Sequence, residues 1–440
     1  MLASPRILAL ALLLALCSPT PARAQAPADS DSESDAALVL LRADSARALL
    51  VQPPGEKGAS FAHFVRAPFH LLGATIALGA AAGYAAFQLL DETGILSAGS
   101  RLGRELKARD IHLRPDMIGS RSWPALVVRV EDPDPLFLEA GISLRGYTLL
   151  RGGLALGDTL TGLDLAGTRH DMNRLLFWGV GPDSDPADRA DYRLTRRDAT
   201  LTGWAPLAPH VRLRLGGGWE EDVVDRGKDD RWPDVQDVFT ATLSSEPDRF
   251  ARADAELRLD FTRVDGNYQL KGTRLVTGWR MYRGLDDTDA RFQIGDADLR
   301  IFAPLDRRHA IALRGIVAGT WGEEGDGIPF YHLPTLGKDE GLRGFHSWRF
   351  RDRALAAAMA EWRYQVWYHP GDPTYRLDAM VFVDHGMVAP GLDKLARRDF
   401  ETTPGFGLRL MESGLGMVQA FVAFGGDKAP RWGLDLGSSF

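Results

Sequence analysis

From Trp123 to Phe440 short stretches of strict alternation recur, and in each of them one face is charged rather than merely polar. In Arg252–Phe261 the even positions are Arg252, Asp254, Glu256, Arg258 and Asp260, while the odd ones are Ala253, Ala255, Leu257, Leu259 and Phe261. Tyr375–Asp384 sets Tyr375, Leu377, Ala379, Val381 and Val383 against Arg376, Asp378, Met380, Phe382 and Asp384. Val211, Leu213 and Leu215 alternate with Arg212 and Arg214, and Leu275, Trp279 and Met281 fall opposite Arg274 and Arg280. A side-chain period of two is that of a β-strand, so each stretch has one apolar and one charged face. A soluble sandwich also alternates, with the apolar face inward, so the pattern alone leaves two architectures open. About eleven such stretches precede residue 322 and five follow residue 350, about 16 in all, each near the ~10 residues of a membrane-spanning strand. That number favours an all-β fold: a transmembrane antiparallel β-barrel whose lumen is polar. Closure satisfies every backbone group without water, as a sheet in lipid requires.

The N-terminus agrees with export. Arg6 precedes the apolar run Ile7–Leu16, and small residues stand at Ala22 and Ala24. These are the three parts of a secretory signal peptide, with cleavage expected after Ala24. The single cysteine, Cys17, lies inside this segment, so disulfides and thiolate metal sites are excluded from the mature chain. With 52 Lys+Arg against 59 Asp+Glu the formal charge is −7, and no basic footprint for nucleic acid is present.

Residues 25–60 are rich in Ala, Asp and Ser and form an acidic periplasmic linker. Residues 61–119 form an Ala/Gly-rich segment expected to be helical, and residues 120–440 the barrel. Between Arg66 and Asp91 no charged residue occurs. Three readings of Phe61–Leu90 stand open: a helix packed on the molecule, a membrane span, and an interfacial helix.

The sequence offers little chemistry. It contains no H-E-x-x-H, no G-x-S-x-G and no P-loop, since Asp339 follows Gly337-Lys338. Asp183, Ser184, Asp185 and Asp188 lack the glycine and distal glutamate of a calcium loop and read as a solvated loop. No catalytic, cofactor-binding or metal-ligating residue is assigned.

One region is not generic. Leu342-Arg343-Gly344-Phe345 is followed by Arg349-Phe350-Arg351-Asp352-Arg353, by Glu361-Trp362-Arg363-Tyr364, by Val381-Phe382-Val383-Asp384-His385-Gly386, and by Gly405-Phe406-Gly407-Leu408-Arg409. This order resembles the bacterial surface-antigen family of outer-membrane barrels, the superfamily that contains BamA and TamA. Upstream, Phe177-Trp178-Gly179-Val180-Gly181 resembles a further segment of that family. The likeness covers roughly residues 120–440 and is dense from 335 to 410. Family members with an assembly role carry POTRA repeats, which the sequence before residue 120 does not suggest; the chain resembles the subgroup lacking them. The final strand ends on Phe440, an aromatic barrel-insertion signal, though Ser438 stands where a second aromatic is usual.

The resemblance implies an integral outer-membrane protein of envelope biogenesis, inserting or translocating protein or lipid, with no cofactor. The alternatives are a passive or lipid-conducting pore and a surface hydrolase built from a Ser/His pair on separate strands. Expected partners are outer-membrane lipid and a protein or lipid client that the sequence does not name, with no nucleic acid. Residues 322–350 are the longest stretch without alternation, and a loop of this length is usually functional or disordered. Strand parity places Asp384 on the charged face with Arg376 and Asp378, and Glu361 with Arg363 and Gln365. A loop folded into the lumen would bring Arg343 to Asp384 and Glu361, with Gly344 permitting close approach and Phe345 as apolar anchor. Without the resemblance Arg343 reads as one more solvated loop arginine.

Overall fold

The computed structural model describes residues 111–436, except for segments 119–123, 132–134, 230, 240–246, 266–268, 286–289, 323–327, 370–371, 398–399, 413–414 and 427–429. The expected signal peptide and linker, the Phe61–Leu90 segment and Phe440 lie outside the described residues.

Alternation becomes one continuous antiparallel ladder. Its first half comprises β1 (Ile111–Met117), β2 (Pro124–Val130), β3 (Leu136–Ser143), β4 (Thr148–Gly157), β5 (Gly162–Phe177), β6 (Ala190–Ala208), β7 (Val211–Arg226) and β8 (Asp248–Asp260). After the two-residue β9 (Arg263–Val264) come β10 (Leu270–Gly284), β11 (Arg291–Pro304) and β12 (His309–Gly322). A separate two-stranded ladder, β13 (Thr335–Leu336) with β14 (Phe350–Arg351), interrupts the order. The wall then resumes with β15 (Ala354–His369), β16 (Asp372–Ala389), β17 (Glu401–Glu412), β18 (Leu415–Ala423) and β19 (Arg431–Leu436). Each wall strand pairs with its predecessor, β10 with β8 and β15 with β12. Without β9, β13 and β14 the wall has sixteen strands, eleven up to Gly322 and five from Ala354. Among the described residues no pairing joins β1 to β19.

The ladder starts earlier than the sequence pattern suggests. Residues 111–117, the end of the segment expected to be helical, are strand β1, so the barrel begins at Ile111 rather than at 120. Ile111, Leu113, Pro115 and Met117 alternate there with His112, Arg114 and Asp116; the proline argues against a strand, yet it is tolerated because β1 lies at the end of the ladder, where one edge needs no donor.

Parity sorts the side chains. On β16, Val381 and Val383 are 37% and 42% exposed, whereas Phe382 and Asp384 are buried. Leu138, Ile142, Leu150, Leu165, Leu201 and Leu215 are likewise exposed on the outer face. In water such a surface would be a liability; in a bilayer it is the solvated one. Inward-facing charges pair across neighbouring strands, as Arg314 does with Asp298 and Arg252 with Glu220.

The two ends of the barrel differ. At one end connections are short, such as the two-residue turn 209–210 between β6 and β7. At the other, long connections span 178–189, 227–247, 323–353 and 390–400. The longest of these folds inward and fills the lumen.

Candidate functional site

The lumen loop has internal structure. β13 and β14 pair at its base, Thr335 opposite Arg351 and Leu336 opposite Phe350. Within it the Leu342 N–H donates to the Gly337 carbonyl at 2.7 Å, and the Phe345 N–H to the Leu342 carbonyl at 3.0 Å. Gly341 closes this turn at φ +130°, a value open to glycine. Trp348 sits in the left-handed region at φ +59°, rare for a bulky residue and stable only where surrounding contacts impose it. Leu336, Leu342, Phe345 and Phe350 pack on wall residues Phe302, Leu355, Met359 and Val388, so the loop supplies part of the barrel's core.

Arg343 projects from this turn between β15 and β16. Its Nε donates to Asp384 Oδ2 at 2.8 Å and its Nη2 to Asp384 Oδ1 at 2.6 Å, a two-armed guanidinium–carboxylate pair. The Arg343 backbone N–H also reaches Oδ2, at 3.0 Å. Nη1 donates to Glu361 Oε1 at 2.6 Å. The guanidinium carbon lies 3.5 Å from the centre of the Phe382 ring, so one face of the charge is covered by an aromatic. Asp384 is 0% exposed, Glu361 1% and Arg343 4%. Burial opposes the charge on Arg343, but the carboxylates of Asp384 and Glu361 outweigh it and hold the guanidinium above the ordinary arginine range.

Glu361 is the hub. Its second oxygen accepts from Arg363 Nε and Nη2, at 2.9 and 2.8 Å, and from Arg409 Nη1 at 2.8 Å. One carboxylate thus ties the loop to β15 and β17, and Asp384 ties it to β16. Gly344 makes the approach possible, because a Cβ there would stand 2.6 Å from Thr403 Cγ2 and 2.8 Å from the Phe424 carbonyl oxygen. Phe345 is buried edge-on against Phe350, with ring centres 5.0 Å apart. Removing one member of a buried ion pair leaves the other uncompensated, a loss of about 3–5 kcal/mol where water is fully excluded.

The loop has a second anchorage on the opposite arc of wall. His332 Nε2 lies 3.1 Å from Asp222 Oδ2 and 3.5 Å from Glu220 Oε1, both on β7. The imidazole packs among Phe250, Tyr282 and Phe292. Tyr331 donates its hydroxyl to Asp248, and Arg351 donates to the Phe330 carbonyl and to the Tyr192 hydroxyl. Lys338 adds a link to the last strand, its Nζ 2.8 Å from Asp435 Oδ1. Glu220, Asp222 and His332 bring ligand atoms close enough to share a cation. However, Arg196 already binds Asp222 with two arms and Arg252 binds Glu220 at 2.7 Å. Two guanidiniums balance two carboxylates, and a divalent ion would add unbalanced positive charge to a buried site. The arrangement suits a loop anchor better than a metal centre.

The structure therefore brings Arg343, Gly344, Phe345, Glu361 and Asp384 into one cluster; Phe440 is outside the described residues. Sequence reasoning missed the shares of Arg363 and Arg409 in Glu361 and the whole His332 anchorage. Arg409 had a legible signal, since parity puts it on the inner face of β17 directly after the Gly405–Gly407 pair. His332 had none.

No family model matches this sequence, and no curated protein matches it either. Solved structures do. BamA from Haemophilus ducreyi lacking POTRA domains 1–3 is 14% identical, with a TM-score of 0.50, over 78% of this chain and 77% of that one. CdiB from Acinetobacter baumannii is 13% identical over 74% of this chain and 60% of its own length, with a TM-score of 0.45. CdiB from Escherichia coli is 12% identical over 74% and 62%, with a TM-score of 0.46.

Proposed function

We propose that this chain, which has the outer-membrane barrel fold of the BamA/TamA type, works in envelope biogenesis by inserting or translocating a protein or lipid client. In this reading the lumen loop is a latched plug. The observation that carries it is the Arg343 cluster together with the His332 anchorage: the loop is held by charged groups on two separated arcs of wall, β15–β17 and β7–β8. A passive pore gains nothing from filling its own lumen with apolar side chains. A barrel that works on a client through its wall or a transient opening needs to stay sealed between cycles. Long connections at one end and short turns at the other orient the loop end outward and the turn end toward the periplasm. Outer-membrane lipid surrounds the leucine-rich outer face.

Single-channel recording in planar bilayers tests the latched plug. The unaltered protein should conduct little, and Asp384→Ala should open frequent or larger conductance steps. A steady open pore in the unaltered protein, unchanged by Asp384→Ala, would favour the passive-pore alternative and sink this reading.

A further inference from the structure

The outer face of β10–β12 carries an apolar groove with a charged rim. Trp279 and Met281 on β10 are exposed while Tyr282 is buried, so the odd residues of that strand face outward. On β11 Phe292 and Ile294 are buried, which turns Arg291, Gln293, Gly295 and Ala297 outward. The register sets Trp279 opposite Gly295, and Gly295 opposite Gly319 on β12. Above these glycines the rings of Trp279 and Trp321 stack, with centres 5.1 Å apart and planes at 19°. A Cβ on Gly295 would stand 2.8 Å from the Trp279 ring and 2.9 Å from that of Trp321, so a glycine is needed for both indoles to lie flat. Beside them the wall recedes at Ala255, Ala297 and Gly319, leaving a groove of about 340 Å³. Leu392 closes one side. It opens the short helix Leu392–Arg397, which packs on β15 and β16, and its Cδ1 would lie 3.4 Å from a Cβ on Gly319.

Towards the loop end stand Arg283 and Arg291, both exposed and directly opposite each other in the ladder. Trp321 lies opposite Gln293, so Arg291 is one outward step, two residues or about 7 Å, beyond the indole row. Tryptophans of a barrel mark the boundary between hydrocarbon and headgroups, which puts the arginine pair at headgroup level. Like charges directly opposite across a ladder destabilise it. Neither guanidinium has a carboxylate partner among the described residues. The turn that joins the two strands carries Asp286, Asp287 and Asp289, which lie outside the described residues.

We propose that this groove and its two arginines hold one acyl lipid with a phosphate headgroup, an acyl chain lying against Trp279 and Trp321 and the phosphate shared by Arg283 and Arg291. Charge selects the occupant. A neutral lipid would fill the groove but leave the two guanidiniums repelling each other, and a free phosphate would leave the groove empty. Guanidiniums bind phosphate with paired hydrogen bonds, and an anion between them converts a repulsive pair into a clamp. Through Leu392 the same lipid would touch the connection between β16 and β17.

The test is native mass spectrometry of the full-length protein in detergent, titrated with phosphatidic acid or with phosphatidylcholine of the same acyl chains. Phosphatidic acid should be retained at least about tenfold more tightly, the range of one charge-assisted hydrogen bond. Arg283→Gln and Arg291→Gln should each reduce that preference. Ala297→Leu, which fills the groove and keeps both arginines, should weaken retention of phosphatidic acid. Arg226→Gln, at an exposed arginine outside the site, should change nothing. Equal retention of the two lipids by the unaltered protein overturns the proposal. So does a preference that survives both arginine variants, which would mean that the turn's own aspartates satisfy the pair. Retention unaffected by Ala297→Leu also overturns it, since the acyl chain would then lie elsewhere. Each variant is first checked for the heat-modifiable migration of a folded barrel, and Arg291→Asn replaces either arginine variant that lacks it.

Discussion

At the scale of single residues, the decisive feature is that Arg343 and Asp384 meet where water is excluded. Their strength is not that of a surface ion pair, because a solvated partner could be replaced by water and a buried one cannot. Arg343→Ala and Asp384→Ala should each loosen the lumen loop by up to about 3–5 kcal/mol, less to the extent that water enters the lumen. Combining them should add little, since each removes the same interaction. Protease sensitivity of the loop, measured for both single variants and the double, checks this; fully additive effects would mean that the pair does not act as a unit. Glu361 is different in kind. It serves Arg343, Arg363 and Arg409 together, so its loss should disturb β15 and β17 as well as the loop.

At the scale of elements, the loop behaves as a small folded insert, with its own two-residue ladder, a glycine turn and an apolar core shared with the wall. Its stability should depend on pH through His346. In the folded loop burial, and then the guanidiniums of Arg431, Arg189, Arg349 and Arg145, push the imidazole down to about 3, against about 6.5 when unfolded. Between these values the unfolded loop binds the extra proton, so stability is fully present above about 6.5 and is lost as pH falls toward 3. Protection factors of the amides of residues 342–350, which take out the intrinsic slowing of exchange in acid, should therefore fall from pH 7 to pH 4, and His346→Gln should flatten that change. An identical pH profile in the two proteins would remove His346 as the cause.

At the scale of the whole molecule, the outer and inner faces of the wall demand different solvents. The exposed leucines and valines need lipid, and the inward arginines and carboxylates need one another or water. The protein should fractionate with the outer membrane and migrate faster on gels when unheated than after boiling, because a barrel wall resists detergent until heated. Soluble recovery from the periplasm without detergent would contradict this architecture.

Alternation was enough to specify strands, their inner faces and roughly how many form the wall, because a period of two assigns each residue to one side whatever its partners are. It was not followed into β1, where Ile111, Leu113, Pro115 and Met117 alternate with His112, Arg114 and Asp116, because a proline argues against a strand and only the strand's place at the end of the ladder makes it harmless. The Arg343–Asp384–Glu361 cluster was legible because parity gave the carboxylates a common face and the longest loop had one arginine beside a glycine in a recognisable motif. No such local signal links His332 to Asp222, or His346 to Arg431 and Trp178. Those residues lie in separate stretches with no shared period, and a charge on a loop reads as solvated until the fold removes its water. The sequence by itself determined which side of the wall each strand residue faces; only the tertiary structure decided which charges meet, because the loop's entry into the lumen sets their distances and their burial.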